Sequence, residues 1–157
     1  MKRNIFIFLL PLLMVLAACA AHSTAQTDPP ARLYFISDLP HGPALDWEPF
    51  SQPDPTPEQL IHALLEGPHS DSLHSPFPAG LTLRSCQLDN GILTIDFSEQ
   101  YGGLSAAGLT LADYSLVLTL CQLDEVDLLS ITVSGRQLPY RSHHILSYQE
   151  AVLMLEE

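Results

Sequence analysis

The feature of this chain that most constrains its fold is a short turn sequence between two apolar segments. Asp89-Asn90-Gly91 separates residues 81–88 from residues 92–97, and Asn-Gly tolerates the positive φ angles of a type I′ turn. In the second segment every other residue is apolar: Leu93, Ile95 and Phe97. The sequence therefore predicts a two-stranded antiparallel hairpin with one buried face.

The first strand of this hairpin does not keep one alternation along its length. Leu81 and Leu83 share one parity, whereas Cys86 and Leu88 share the opposite one. Because a shift of one residue exchanges the two faces of a strand, we predict a β-bulge near Arg84-Ser85. The bulge would turn Cys86 towards the core.

Two segments carry the signals of helices. Thr56-Pro57-Glu58-Gln59 supplies an N-cap, a proline at the first helical position and a glutamine that can complete a capping box. Since Gly67-Pro68 cannot continue such a helix, we predict a helix over residues 57–66. A second, largely apolar helix is predicted to begin at a cap on Thr110 and to end at Asp124-Glu125.

The remaining segments are shorter or less regular. Residues 33–36 and 129–133 have the composition of strands. Residues 39–57 contain six prolines and are typical of a loop, whose aromatic residues either pack on the domain or contact a partner. The tail, residues 145–155, is either a helix capped by Ser147 or a short edge strand.

The predicted order is strand, helix, strand, strand, helix, strand. Such an order, with apolar residues on one sheet face and on both helices, is typical of an α+β fold. We expect a two-layer sandwich in which the hairpin belongs to a sheet and the two helices cover one face of that sheet.

The amino terminus is similar to a bacterial lipoprotein signal peptide. Lys2-Arg3 precedes an apolar run that ends at Leu16-Ala17-Ala18-Cys19. The resemblance implies that residues 1–18 are removed and that Cys19 is acylated, with palmitate or a related chain, and anchors the protein in the bilayer on the extracytoplasmic face of the cell membrane. The alternatives are an ordinary export signal or a short membrane helix, although a run of about 12 residues is shorter than the roughly 20 needed to span.

Removal of the signal peptide would leave a tether over residues 19–31 and a single domain over residues 32–157. Only four arginines then remain against 18 acidic residues, a formal charge of −14. Nucleic acids and anionic lipids repel such a surface, which excludes a nucleic-acid-binding function. One of the arginines, Arg84, either pairs with Asp96 across the hairpin or is simply exposed.

Besides Cys19, the chain has two cysteines, Cys86 and Cys121. An extracytoplasmic compartment permits a disulfide between them. Its loop of about 35 residues would stabilise the fold by roughly 3–4 kcal/mol. The alternative is a pair of buried thiols that pack as small apolar side chains.

No catalytic constellation or metal site is predicted from the sequence. The segment around Ser105 approximates a nucleophile elbow, but Ala107 stands where that motif requires glycine. His69 and His74 share a loop with Asp71, yet no pair of the seven histidines has helical metal-ligand spacing,. We therefore expect no enzyme activity, no metal and no cofactor.

The order of the elements, together with several short sequences, resembles the GerMN domain, a family named from a spore-germination and sporulation protein. The matching stretches are Glu66-Gly67-Pro68, Phe77-Pro78-Ala79-Gly80-Leu81, residues 89–98, Leu118-Thr119-Leu120 and Val133-Ser134-Gly135-Arg136. The resemblance covers residues 34–136. It implies an α+β domain similar to the ring-building motif of secretion and sporulation assemblies, carried on lipoproteins of spore-forming bacteria and without catalytic residues. The founding protein has two copies of the domain, whereas this chain has one.

Two functional hypotheses follow from the sequence. The first is a non-catalytic lipoprotein module that binds an envelope protein in sporulation, germination or envelope assembly, through an exposed strand edge or through residues 39–50. The second is a small extracytoplasmic enzyme or ligand-binding lipoprotein that uses Trp47, Phe50 and the histidines. An enzyme would need His69, Asp71 and His74 to converge in one pocket.

Overall fold

The computed structural model describes residues 28–40, 42–139 and 144–153. Within these ranges the chain forms seven strands, three α-helices and one 3-10 helix. The strands are β1 (Ala31–Leu39), β2 (Gly42–Phe50), β3 (Leu73–His74), β4 (Leu83–Asp89), β5 (Ile92–Phe97), β6 (Leu128–Val133) and β7 (Ile145–Ser147). The helices are α1 (Pro57–Glu66), α2 (Ala106–Leu120) and α3 (Tyr148–Leu153), and the 3-10 helix is Glu99–Gly103. The predicted α+β class is confirmed.

The described strands form two sheets instead of the single sheet that the sequence predicts. The first sheet has the order β2-β1-β3 and the second has the order β4-β5-β6-β7. β5 and β6 are parallel and are connected through α2, whereas the other neighbours are antiparallel. The first sheet exists because β2 pairs with β1 along its whole length, from Leu39 opposite Gly42 to Ala31 opposite Phe50. The prediction of a loop over residues 39–57 is therefore wrong for residues 42–50.

The β4–β5 hairpin and its bulge are confirmed. Asn90 and Gly91 have φ angles of 49° and 81°, as a type I′ turn requires. The register of the two strands shifts between Leu83 and Ser85, where the bulge was expected. A Cβ atom at Gly91 would also displace the carboxylate of Asp127.

Helix α1 has the predicted boundaries and the predicted cap. The hydroxyl of Thr56 accepts a hydrogen bond from the Gln59 N–H at 3.3 Å, and the Gln59 side chain accepts one from the Thr56 N–H at 2.9 Å. Together these form the capping box, which is worth about 1 kcal/mol for the threonine alone. The helix buries its apolar side completely: Leu60, Ile61 and Leu64.

Helix α2 begins earlier than the sequence predicts. Its cap is Ser105, whose hydroxyl accepts a hydrogen bond from the Gly108 N–H at 3.2 Å. Thr110 lies inside the helix, where its hydroxyl donates to the Ala106 carbonyl at 3.1 Å. The two alanines after Ser105 have a high helix propensity, which outweighs the low helix propensity of the glycines on either side.

Both structures predicted as alternatives for the tail are present, one after the other. Residues 145–147 form the edge strand β7, and α3 follows immediately. Ser147 caps this helix, since its hydroxyl accepts from the Glu150 N–H at 3.4 Å and its own N–H donates to the Glu150 carboxylate at 3.1 Å.

One continuous core holds the elements together. β5 and β6 alternate, so that one face is buried and the other is partly exposed. The buried face packs with apolar residues of α1 and α2 in a single cluster, and each fully buried large side chain contributes about 1.5–3 kcal/mol. Tyr101 of the 3-10 helix stacks on Phe97 with ring centroids 5.0 Å apart and donates a hydrogen bond to the buried Asp113 carboxylate.

Candidate functional site

The two predicted contact surfaces, a strand edge and the proline-rich segment over residues 39–50, coincide in the structure. Residues 42–50 form β2, which lies at the edge of the first sheet. A free strand edge offers unpaired backbone groups with which another chain can pair. The backbone direction of each β2 residue therefore decides whether this edge is available.

Alternate residues of β2 turn their backbone groups away from β1. The Trp47 N–H donates to the carboxylate of its neighbour Asp46 at 2.8 Å, so it does not pair with β1. Because the directions alternate along an antiparallel pair, Pro43, Leu45 and Pro49 face outward as well. Prolines have no N–H to donate, and the Trp47 donor is occupied. Leu45 supplies the remaining free donor on this edge.

The other edge of β1 is closed by polar side chains of α2. Gln122, just beyond the helix, accepts from the Arg32 N–H at 3.0 Å and donates to the Arg32 carbonyl at 2.8 Å. Thr119 accepts from the Tyr34 N–H at 3.1 Å, and Ser115 donates to the Tyr34 carbonyl at 2.6 Å. The spacing of four and three residues places these side chains on one helix face. They satisfy the edge of β1 at Arg32 and Tyr34, and β3 pairs with the same edge at Ile36 and Ser37.

The two aromatic residues of the proline-rich segment differ in exposure. Phe50 packs against the core, whereas Trp47 is 39% exposed and lies opposite Tyr34. The guanidinium carbon of Arg32 lies 4.4 Å from the centre of a Trp47 ring. Arg32 therefore covers one ring face through a cation–π contact.

The histidines and Asp71 of the predicted enzyme alternative do not form one site. The His69 ring lies 3.0 Å from the Glu48 carboxylate, which also accepts the N–H groups of His69 and Ser70. A hydrogen bond and the negative charge of Glu48 raise the pKa of His69. His74 instead pairs with Asp38, at 3.3 Å, and Asp71 is exposed. The Glu48–His69 contact ties β2 to the segment after α1.

The edge of the second sheet, β4, is built differently from β2. The Ser98 N–H donates to the Thr82 carbonyl at 3.0 Å, and the Phe97 carbonyl accepts from Ser134 on the β6 side at 2.9 Å. Even-numbered residues of β5 therefore face β4, and odd-numbered residues face β6. From the register of the hairpin, the β4 residues that turn their backbone groups outward are Cys86 and Leu88.

The model of the Germane family, described as sporulation and spore germination, matches residues 32–139, which is more than half of the chain. The chain belongs to the Germane family. The resemblance inferred from its short sequences is thereby confirmed. A comparison with curated proteins gives no match.

Solved GerMN domains have the same fold as this Germane domain. The first GerMN domain of the sporulation protein GerM from Bacillus subtilis is 19% identical, with a TM-score of 0.61, over 76% of this chain and 97% of that one. The tandem GerMN domains of the same protein are 23% identical, with a TM-score of 0.58, over 75% of this chain. This chain spans 44% of the tandem structure.

An ion pair fixes the bulge of the Germane domain. Asp96 accepts hydrogen bonds from Arg84 at 2.9 Å, from the Thr132 hydroxyl at 2.8 Å and from the Gly135 N–H at 2.7 Å. Burial acts to raise the pKa of the Asp96 carboxyl, but these three donors and the positive charge of Arg84 outweigh it and lower the pKa. The sequence-based pairing of Arg84 with Asp96 is confirmed.

A cavity of about 740 Å³ lies beside the Ser134-Gly135 turn. Glu99 and Arg136 supply its charged side chains, and His69, Asp71 and His74 are not in its lining. Among the residues that the structure describes, no three histidine, cysteine or acidic side chains group as metal ligands. Ser105, the residue of the incomplete elbow motif, serves as the cap of α2.

The two cysteines of the domain are free thiols in the structure. Burial raises the pKa of Cys86 to about 11, with Glu58 adding to the shift. Burial likewise raises the pKa of Cys121 to about 11, with Asp127 adding to it. The two thiols have different neighbours. The bridge between Cys86 and Cys121 stays a prediction, which a mass measured without reductant tests.

The predicted lipidation residue, Cys19, lies outside the described residues, as do residues 1–18 and most of the tether. In the described ranges no helix is long and apolar enough to cross a membrane.

Proposed function

We propose that this chain is a lipid-anchored, extracytoplasmic and non-catalytic interaction module that acts in sporulation or germination. The observation that carries the proposal is the Germane match over residues 32–139. The sporulation role of GerM, whose GerMN domains share this fold, supports the same process.

The dispersal of the titratable side chains supports a non-catalytic role. An enzyme needs its acid, base or nucleophile within hydrogen-bond reach of one substrate. His69 and His74 are paired with different carboxylates on different strands. A surface for binding another protein is the simpler use of such a domain.

The charge of the chain supports anchoring by acyl chains at Cys19. A formal charge of −12 opposes adsorption to anionic lipid. Each buried methylene contributes about 0.8 kcal/mol, and stable residence takes two signals or chains. An acylated and processed Cys19 would supply them.

The proposal is tested in the native host with Cys19→Ala beside Cys121→Ala, a matched change at a half-buried cysteine. We expect palmitate labelling and membrane fractionation to be lost in Cys19→Ala and kept in Cys121→Ala, and globomycin to block processing. Deletion of the gene should lower the yield of spores or their germination. Unlabelled wild-type protein, or a deletion strain that sporulates and germinates normally, would overturn the proposal.

A further inference from the structure

We infer that the free edge of β4 binds an extended, basic segment of another protein as an added strand of the second sheet. This inference rests on the proposed function, since it names the surface through which the interaction module meets its partner. Three observations support it: the outward direction of backbone groups in β4, the small number of such free groups at the other described strand edges, and the charges beside β4.

The backbone of β4 has unpaired groups that point away from the sheet. Cys86 and Leu88 lie opposite Ile95 and Leu93, the two β5 residues that turn towards β6. Two N–H and two C=O groups of β4 are therefore free to pair with another strand. In strand addition these main-chain hydrogen bonds supply affinity, and pockets for alternate side chains supply specificity.

The other described edges are less suited to strand addition. β2 lacks donors at Pro43 and Pro49, and Asp46 occupies the donor of Trp47. β3 is two residues long and β7 is three, so each offers too few backbone groups to hold a strand. β4 has seven residues and no proline.

The charges beside β4 select a basic partner. Glu58 of α1 acts on the Cys86 thiol from the core side of the sheet, and Asp89 is exposed at the end of the strand. The positive charge at the other end, Arg84, is already paired with Asp96 at 2.9 Å. Lysine or arginine residues on the incoming segment would complement these carboxylates.

The same charges disfavour a second copy of this chain at β4. Two copies would bring together surfaces of proteins that each carry a formal charge of −12. Like charges at an interface are repulsive. A basic segment from a different protein does not meet this repulsion.

The side chains of β4 define the pattern of the incoming segment. Leu88 is 42% exposed and lies on the side of the sheet that carries the core, next to the half-buried Cys86. On the other side Ser85 and Gln87 are polar and exposed. The segment should therefore alternate, with apolar residues beside Leu88 and polar residues beside Ser85 and Gln87, and with lysine or arginine where it passes Glu58 and Asp89.

The experiment uses the 15N-labelled full-length chain in detergent and two synthetic peptides. One peptide alternates lysine with valine, and the other has glutamate in place of lysine. The lysine peptide should slow amide exchange at Cys86 and Leu88 at least tenfold and leave Leu45 of β2 unchanged. The glutamate peptide should bind at least tenfold more weakly. Unaltered exchange at Cys86 and Leu88, or slowed exchange at Leu45 alone, overturns the inference.

A charge-matched pair of variants separates a local contact from general attraction. Glu58→Gln with Asp89→Asn should weaken the lysine peptide about fivefold or more. Asp38→Asn with Asp71→Asn changes the net charge by the same amount at exposed positions in and beside the first sheet, and should change binding less than twofold. Equal weakening in both variants overturns the inference. Sedimentation that shows dimers of the wild type dissociated by Leu88→Pro, which removes an outward donor of β4, would also overturn it, in favour of a second copy.

Failure of this inference is distinguishable from failure of the proposed function. If Cys19→Ala abolishes membrane residence but the lysine peptide does not contact β4, the module stands and its surface lies elsewhere. If the peptide binds β4 while Cys19 is never acylated, the inference about β4 is supported and the proposed lipid anchoring is wrong.

Discussion

The two long edge strands of the domain, β2 and β4, treat their outward backbone groups in opposite ways. β2 has nine residues, with prolines at two outward positions and an aspartate on a third donor. β4 has seven residues, no proline and two outward residues, Cys86 and Leu88, without such protection. β2 keeps one outward donor, at Leu45, and is called the closed edge; β4, with outward donors at Cys86 and Leu88, is called the open edge.

The difference teaches that protection of an edge depends on the parity of a few residues. Pro43 and Pro49 are an even number of residues apart, so both remove a donor on the same side of β2. The inner edge of β1 is closed in another way, by hydrogen bonds from its backbone to the side chains of Ser115, Thr119 and Gln122. With these edges closed, β4 is the place where a partner strand can pair.

The largest expected effect comes from proline substitutions on β4. Gln87→Pro removes an N–H that pairs with Thr94 of β5 and should destabilise the domain by about 1–3 kcal/mol, because the Thr94 carbonyl loses its partner in the sheet. Leu88→Pro removes an outward donor and should cost less than about 1 kcal/mol of backbone stability, since edge positions tolerate proline. Urea unfolding of both variants measures the difference. Equal losses would mean that the outward positions of β4 are assigned wrongly.

The next largest effect concerns the closed inner edge of β1. Gln122→Ala leaves the Arg32 N–H and carbonyl without their partner and should cost about 1–3 kcal/mol. Gln100→Ala, at an exposed glutamine, should stay within about 0.5 kcal/mol. Thermal or urea unfolding gives both values. A Gln122→Ala variant as stable as Gln100→Ala would show that α2 does not close this edge.

Opening the β2 edge should have a smaller effect on stability and a clear effect on association. Pro43→Ala with Pro49→Ala restores two outward donors and should lower the free energy of unfolding by about 0.5–2 kcal/mol, because the unfolded chain gains freedom. The restored edge should then bind the lysine–valine peptide, with slowed amide exchange at Leu45. A double variant that still leaves Leu45 unchanged would contradict the role of the prolines.

The smallest expected effect is a pH dependence at the anchor of β2. Glu48 raises the pKa of His69 through a hydrogen bond and its charge, so folding favours the protonated ring. This stabilisation is fully present below the ordinary pKa of 6.5 and is lost as the pH rises through the raised pKa. When the pH rises from below 6.5 through the raised pKa of His69, the melting temperature of His69→Asn should change less than that of the wild type. His62→Asn, at an exposed helix position, is the control and should behave as the wild type does. A larger pH dependence in His69→Asn would contradict the pairing.

Much of the second sheet and its helices was predictable because the signals are local. The Asn90-Gly91 turn, the capping box from Thr56 to Gln59 and the change of parity before Cys86 each depend on neighbours in sequence. The order of the elements was then sufficient for the α+β class. Local signals of this kind fix an element before its tertiary contacts are known.

The first sheet was not predicted because the number of prolines, and not their positions, was used to assign residues 39–57. Six prolines over residues 39–57 indicate a loop by composition, yet Pro43 and Pro49 occupy the alternate positions that an edge strand tolerates. Leu45 and Trp47 lie between them with the same parity. Proline spacing alone does not mark where β2 ends, because Pro53 and Pro55 have the same parity and lie outside the strand.

The candidate contact surface was only half predictable. The sequence pointed to a strand edge and to residues 39–50, but it could not tell which of two edges is open, since this depends on which backbone groups each strand turns outward. The local contact of Asp46 with the Trp47 N–H and the longer-range pairing of Ser98 with Thr82 establish these directions. The polar residues of α2 at positions 115 and 119, separated by one helical turn in an apolar helix, were the available sign that this helix contacts a strand edge.

The most direct test of this account places a photoreactive amino acid at Leu88 or at Leu45 of the full chain in the native host. Both positions face outward on an edge strand, so the pair compares the open edge with the closed one. We expect crosslinks from position 88 to an extended segment of one envelope protein that contains lysine or arginine. At least tenfold fewer crosslinks should form from position 45. Crosslinks to a partner from position 45 and none from position 88 would contradict it.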